Sequence, residues 1–144
     1  LNENLDDFII QEKIEGTEYT VQVISDIENN LITIVPVKVG IKRGVTISGI
    51  IEKQKSVIQL CTKIHNVFPT SGIYNVQLMK KPNGEVLPFE INTRISTTFC
   101  LVLKALNHDP FDMIMKNRRE SQSCIDFDDN IRLERYWHNR TYKS

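Results

Sequence analysis

Residues 73–92 read IYNVQLMKKPNGEVLPFEIN. Two β-type runs, 73–80 and 85–92, flank Asn83-Gly84, the strongest short hairpin signal a sequence offers. A two-residue loop at Asn83-Gly84 pairs residue 82 with 85, and therefore Gln77 with Glu90 and Asn75 with Asn92. Side chains two apart share a face of a strand. The four oxygen-bearing side chains Asn75, Gln77, Glu90 and Asn92 are thus expected on one face of the ribbon, and Val76, Leu78, Phe89 and Ile91 on the other as core. Directly opposed Cβ atoms lie roughly 4.5–5.5 Å apart, close enough to share a cation. Mg²⁺ takes hard oxygen donors, one or two carboxylates completed by ligand phosphates and water. The same pattern also describes the solvated polar face of an ordinary hairpin, and a one-residue slip in register would scatter it.

Working outward, 8–14 reads as an Ile- and Phe-rich strand closed by Gly16, and Tyr19, Val21 and Val23 alternate with Glu18, Thr20 and Gln22 as a half-buried strand. Glu28-Asn29-Asn30 supplies a turn. Residues 31–35 resume β structure, Pro36 marks an edge or bend, and 37–41 run extended into the basic loop at 40–44. Val57, Leu60, Cys61, Ile64 and Phe68 recur at helical spacing, which predicts an amphipathic helix over 51–68. A helix is expected over 97–107, another opened by Asp109-Pro110 and running through 115–119, and a last strand over 131–137. The class is α+β, an antiparallel sheet with helices packed on one face. A lead-in (1–7) and a polar tail (138–144) bracket the folded unit (8–137).

The chain has 144 residues, 40% hydrophobic and 25% charged, enough for one core. Its 18 basic and 18 acidic residues cancel, which argues against a dedicated nucleic-acid binder. The balance is uneven: residues 1–30 carry eight acids and one base, the remainder ten acids and seventeen bases, so an anionic ligand is drawn to the later part. No apolar run approaches the roughly 18 residues of a membrane span. Cys61, Cys100 and Cys124 form neither a disulfide framework nor a zinc pattern, so a reducing cytoplasm is expected.

The order Asn75-Val76-Gln77, Asn83-Gly84, then Glu90-Ile91-Asn92-Thr93-Arg94 resembles the ATP-grasp superfamily, most nearly its carbamoyl-phosphate-synthase-like branch. The segment Gln11-Glu12-Lys13-Ile14, with Gly16 and Glu18-Tyr19, resembles the family's hinge strand and the stretch just after it; Asp109-Pro110 and Arg135-Tyr136-Trp137 fit its sequel. The resemblance spans about residues 8–137. It implies the C-terminal subdomain of an ATP-grasp module that binds ATP with Mg²⁺ (or Mn²⁺). It implies metal ligation by Gln77, Glu90 and Asn92, and phosphate or activated substrate at Arg94. Adenine is expected beside Glu12, Lys13 and Ile14, ribose at Glu18, and a looser phosphate-facing role at Lys42 and Arg43. Thr93 stands where the family usually has proline.

The implied chemistry is phosphorylation of a small-molecule carboxylate to an acyl phosphate, then attack by an amine, ammonia or thiol. The family's N-terminal half, with its phosphate-covering loop, is implied as a partner, and the isolated chain is expected to lack turnover. An exposed hinge face would let two chains pair. Two other readings stay open: a silent ATP-grasp relative, and an unrelated α+β interaction domain whose hairpin face is merely polar. His65 is expected at a surface or helix cap, His108 and His138 in loop and tail, Cys61 and Cys100 in core, and the acids Asp126, Asp128 and Asp129 in a turn.

Overall fold

The computed structural model describes residues 9–115, 124–138 and 140–143. The lead-in 1–7, the helix continuation 116–119 and the turn 121–123 lie outside them. A six-stranded antiparallel sheet carries the fold, in the order β5-β4-β1-β2-β3-β6. The strands are β1 (Thr17–Ser25), β2 (Leu31–Arg43), β3 (Val45–Ile51), β4 (Gly72–Lys80), β5 (Val86–Asn92) and β6 (Arg132–Glu134). The helices are α1 (Lys55–Val67), α2 (Phe99–Ala105) and α3 (Pro110–Met115). The expected α+β class, an antiparallel sheet with helices packed on it, is what the structure shows. The long helix α1 lies on one face; the short α2 and α3 close only the β2–β3 part of the opposite face.

β1 sits in the middle, and alternate residues serve the two faces. Tyr19, Val21 and Val23 meet Tyr74, Val76 and Leu78 of β4 and Val57 and Cys61 of α1. Ile24 joins Val35, Val37 and Ile51 beneath Phe99, Leu101 and Val102 of α2. The strand expected to be half-buried is therefore buried on both sides: α1 covers one, and on the other Ile24 lies under α2 while Gln22 meets the loop before it at Ser96.

Several expectations are corrected. Residues 9–15 form no strand, and Ile9 and Ile10 are 88% and 94% exposed. Apolar composition alone does not make a strand: the β1–β4 ladder ends at Thr17 and Lys80. At Gly16 a Cβ would stand 2.3 Å from the Lys80 carbonyl oxygen, so only glycine lets the chain cross there. Pro36 lies inside β2, paired with Val21, rather than at an edge. Its carbonyl accepts from Glu52 N on the side where β3 has run out, so the N–H that proline lacks has no ladder partner to satisfy.

Residues 45–51 form β3, which the sequence reading passed over, and α1 begins at Lys55 rather than 51. Val45-Thr46-Ile47-Ser48 alternates at period two, but Gly49 breaks the run before Ile50 and Ile51. His65 is buried, not a surface cap: Nε2 lies 2.8 Å from the Asn29 carbonyl oxygen, and Nδ1 lies 3.1 Å from the Tyr74 hydroxyl. It pins α1 to the β1–β2 turn and to β4. Cys100 is exposed rather than core.

The hairpin turn also differs from expectation. Lys81 N donates to Glu85 O and Gly84 N to Lys81 O, so Pro82-Asn83-Gly84 is a three-residue loop. Gly84 takes φ +91°, while Asn83 keeps a negative φ, which excludes the two-residue type I′ turn. Pro82 suits the second position of the type I turn that fits instead. This shifts the pairing by one, giving Lys80↔Val86, Met79↔Leu87 and Leu78↔Pro88. A bulge then shifts it back: Phe89 is the extra residue between Leu78↔Pro88 and Gln77↔Glu90. Phe89 and Ile91, expected in the core, are 42% and 50% exposed, because β5 is an edge strand that α1 scarcely covers.

Candidate functional site

Beyond the bulge, the observed pairs are Gln77↔Glu90, Val76↔Ile91 and Asn75↔Asn92. Asn75, Gln77, Glu90 and Asn92 therefore share the face opposite α1. Their side chains form one connected set. Glu90 accepts from Gln77 Nε2 at 2.6 Å and from Asn92 Nδ2 at 2.8 Å. Asn92 Nδ2 also reaches Asn75 Oδ1 at 3.5 Å. Asn75 is buried, and its Nδ2 donates to the Arg94 carbonyl at 2.8 Å. Lys42, from the end of β2, donates to Gln77 Oε1 at 3.0 Å and pairs with Glu18 Oε1 at 2.5 Å. Charge alternates along this line, from Glu18 through Lys42 and the Gln77 amide to Glu90.

A cavity of about 160 Å³ opens beside the set, lined by Thr20, Lys42, Thr46, Gln77, Arg94 and Thr97 among others. Cations and hydroxyls dominate this lining, which suits an anion. A larger groove of about 390 Å³, by Lys38, Ser48, Ile50 and Arg132, holds none of the expected site residues. Among the described residues no group of three His, Cys, Asp or Glu could hold a metal. A one-carboxylate site completed by amides does not have that composition.

The donor chemistry fits a hard cation: Glu90, Gln77 and Asn92 offer only oxygens as ligand atoms. Both amide NH₂ groups point at Glu90 and hydrogen-bond its carboxylate, which keeps its negative charge. A cation held there would balance that charge, with the amides turned to present oxygen.

The remaining expected residues lie apart from this cluster or at its margin. Glu12 and Lys13 are exposed and Ile14 half-buried on the irregular segment before β1. Glu18 joins the cluster through Lys42, while Arg94 stands exposed after β5 and lines the cavity. Sequence reasoning missed Gln22, fully buried on the same face and paired with Asn75, whose Oε1 accepts from Ser96 N at 3.3 Å. Its parity with Glu18 and Thr20 was the available signal. It also missed the grip of Arg135 on Thr46 O (2.8 Å) and on Thr97 O; no local pattern marks that contact.

The α+β fold is consistent with an ATP-grasp-like subdomain, and comparison with known proteins supports that class. The phosphoribosylaminoimidazole carboxylase ATPase subunit from Aquifex aeolicus superposes with TM-score 0.61 at 17% identity, covering 73% of this chain and 33% of its own. N5-carboxyaminoimidazole synthetase from Staphylococcus aureus complexed with ADP gives 0.56 at 15%, covering 68% and 28%. N5-carboxyaminoimidazole synthase from Aspergillus clavatus, in complex with ADP and 5-aminoimidazole ribonucleotide, gives 0.56 at 13%, covering 73% and 31%. The chain thus spans about a third of the length of these solved relatives. No curated protein sequence matches it. Residues 4–134 match the family described as "ATP-grasp in the biosynthetic pathway with Ter operon", and the chain belongs to that family, within the ATP-grasp superfamily.

Proposed function

We propose that this chain is the ATP- and Mg²⁺-binding half of a carbamoyl-phosphate-synthase-like ATP-grasp ligase of the cytoplasm. The whole enzyme activates a small-molecule carboxylate as an acyl phosphate for attack by an amine or ammonia. The observation that carries the reading is the linked set Gln77–Glu90–Asn92 beside a cation-lined cavity. In this reading Glu90, Gln77 and Asn92 hold Mg²⁺ (or Mn²⁺), which when bound neutralises phosphate charge during phosphoryl transfer.

Arg94 faces the transferred phosphoryl or the activated carboxylate with its planar fork of donors. Lys42 already bridges Glu18 and Gln77, and so ties the ribose-facing acid to the metal-facing amide. Glu12, Lys13 and Ile14, on an open segment, offer backbone groups to the adenine edge. The N-terminal half of the module closes over this surface, and the isolated chain has no turnover. Two isolated chains could instead pair through the uncovered hinge face.

The test is a Mg–ATP titration of the full-length protein, wild type beside Glu90→Ala and Gln77→Ala. Mg²⁺-dependent binding that collapses in both variants is expected. Binding indifferent to Mg²⁺ and to both substitutions overturns the ligase reading and leaves a silent relative. ATP hydrolysis by the isolated chain would overturn the expectation that it lacks turnover.

A further inference from the structure

Residues 93–98 connect β5 to α2, carry Arg94, and contain no regular element. Their second half is held partly by its own hydroxyls. Ser96 and Thr98 hydroxyls lie 2.6 Å apart, Thr98 N reaches Ser96 Oγ at 3.2 Å, and Phe99 N donates to Ser96 O at 3.1 Å. The rest of the anchoring comes from far away in sequence. Asn75 Nδ2 donates to the Arg94 carbonyl, and Gln22 Oε1 accepts from Ser96 N. Arg135, just past β6, donates through Nη2 to the Thr97 carbonyl while its Nε donates to Thr46 O at 2.8 Å. The same Nη2 lies 3.8 Å from Cys100 Sγ. Three side chains, from β4, from β1 and from just past β6, thus grip the Arg94 carbonyl, the Ser96 N–H and the Thr97 carbonyl of one short loop.

We infer that Arg135 is a positioning residue for Arg94. It does not line the cavity. It bolts the loop at Thr97 to β3 at Thr46, and both of those residues do line the cavity. A guanidinium suits this task because Nε and Nη2 point to two carbonyl oxygens at once, which an ammonium on a flexible stem cannot reproduce. Gln22 steadies the same loop one residue earlier, by accepting from Ser96 N. The consequence is that a residue just past the last strand, remote in sequence from the metal-facing hairpin, controls the aim of Arg94. Nucleotide affinity set by Gln77, Glu90 and Asn92 is left to the hairpin.

The inference rests on the proposed role of Arg94 toward a transferred phosphoryl group, and its test separates the two. Mg–ADP is titrated against the full-length protein with and without aluminium fluoride, a mimic of the phosphoryl group in flight, in wild type, Arg135→Gln and Arg135→Lys. Hydrogen exchange of the backbone amides 94–98 is followed in the same proteins, with amides 19–24 of β1 as the folding control.

Arg135→Gln is expected to bind Mg–ADP within twofold of wild type, to lose at least fivefold of the tightening that aluminium fluoride confers, and to exchange amides 94–98 at least tenfold faster. Arg135→Lys is expected to recover part of the tightening. Unchanged tightening in Arg135→Gln overturns the inference, and so does unchanged exchange at 94–98. If wild type itself ignores Mg–ADP, the ligase reading fails, and exchange at 94–98 alone decides whether Arg135 holds the loop. If β1 loses protection in Arg135→Gln, Gln22→Met supplies the same readouts through Ser96 N.

Discussion

The two faces of β1 and β4 are built from alternating residues of the same strands, yet they do different work. Toward α1 stand Tyr19, Val21, Val23, Tyr74, Val76 and Leu78, all buried. Toward the other side stand Glu18, Thr20, Gln22, Asn75 and Gln77, joined by Glu90 and Asn92 of β5. One face removes apolar surface from water and supplies stability. The other presents polar groups, most of them hydrogen-bonded to one another and partly open to a ligand, with the Gln22 amide nitrogen buried and without a partner among the described residues. Moving one residue along the chain therefore moves from folding to chemistry.

The neighbours Leu78 and Gln77 test that division most directly. Leu78→Ala removes a fully buried side chain and is expected to cost about 2–5 kcal/mol. Denaturant unfolding reads that cost, and the molecules still folded should bind Mg–ATP as before. Gln77→Ala is expected to shift stability by only about 0.5 kcal/mol while weakening Mg–ATP binding. If the two effects are exchanged, the faces do not divide the labour.

His65 lies on the stability side of the same comparison. His65→Ala leaves the Asn29 carbonyl and the Tyr74 hydroxyl without their buried partner. A loss of about 1–3 kcal/mol is expected in thermal or denaturant unfolding, with nucleotide affinity unchanged.

Beneath α1, burial pushes the Cys61 thiol up to about 12. It therefore stays protonated in the folded state well above the pH, near 9.0, at which it would ionise when unfolded. The folded state then binds the extra proton, so this group's contribution to stability is complete below pH 9 and falls as pH rises above it. The accompanying expectation is kinetic: at pH 8 a thiol reagent labels exposed Cys100 and Cys124 rapidly and Cys61 only on unfolding. Rapid labelling of all three would show that the α1 face is not closed. A comparably small effect on stability is expected from Lys42→Ala. Its bridge to Glu18 is partly exposed, so about 0.2–1 kcal/mol of stability is at stake.

Much of this was legible in the sequence, though not always for the reason given. The pairing of Gln77 with Glu90 was expected from a two-residue turn. The chain makes a three-residue turn, and the bulge at Phe89 restores the register. Two local departures cancel, and only the first had a signal, in Pro82. Parity within β1 and β4 was readable because side chains must alternate about a strand. The burial of β1 on both sides was not, since it depends on where α2 and the loop before it return. β3 was hidden because the alternation of Val45-Thr46-Ile47-Ser48 stops at Gly49 after four residues. The long-range grip of Arg135 and Gln22 on residues 96–97 belongs to tertiary structure alone, with partners 38 and 74 positions away.

The bulge has one more consequence, for the sheet's outer rim. A bare strand edge invites a stranger's strand to continue the ladder, the first step toward aggregation. On β5 that invitation is spoiled twice within two residues: Pro88 offers no N–H, and Phe89 breaks the even spacing of the rest. At the far rim β6 is only three residues long, Arg132–Glu134, too short to template much. The irregularity that aligns Glu90 with Gln77 also keeps the sheet from growing.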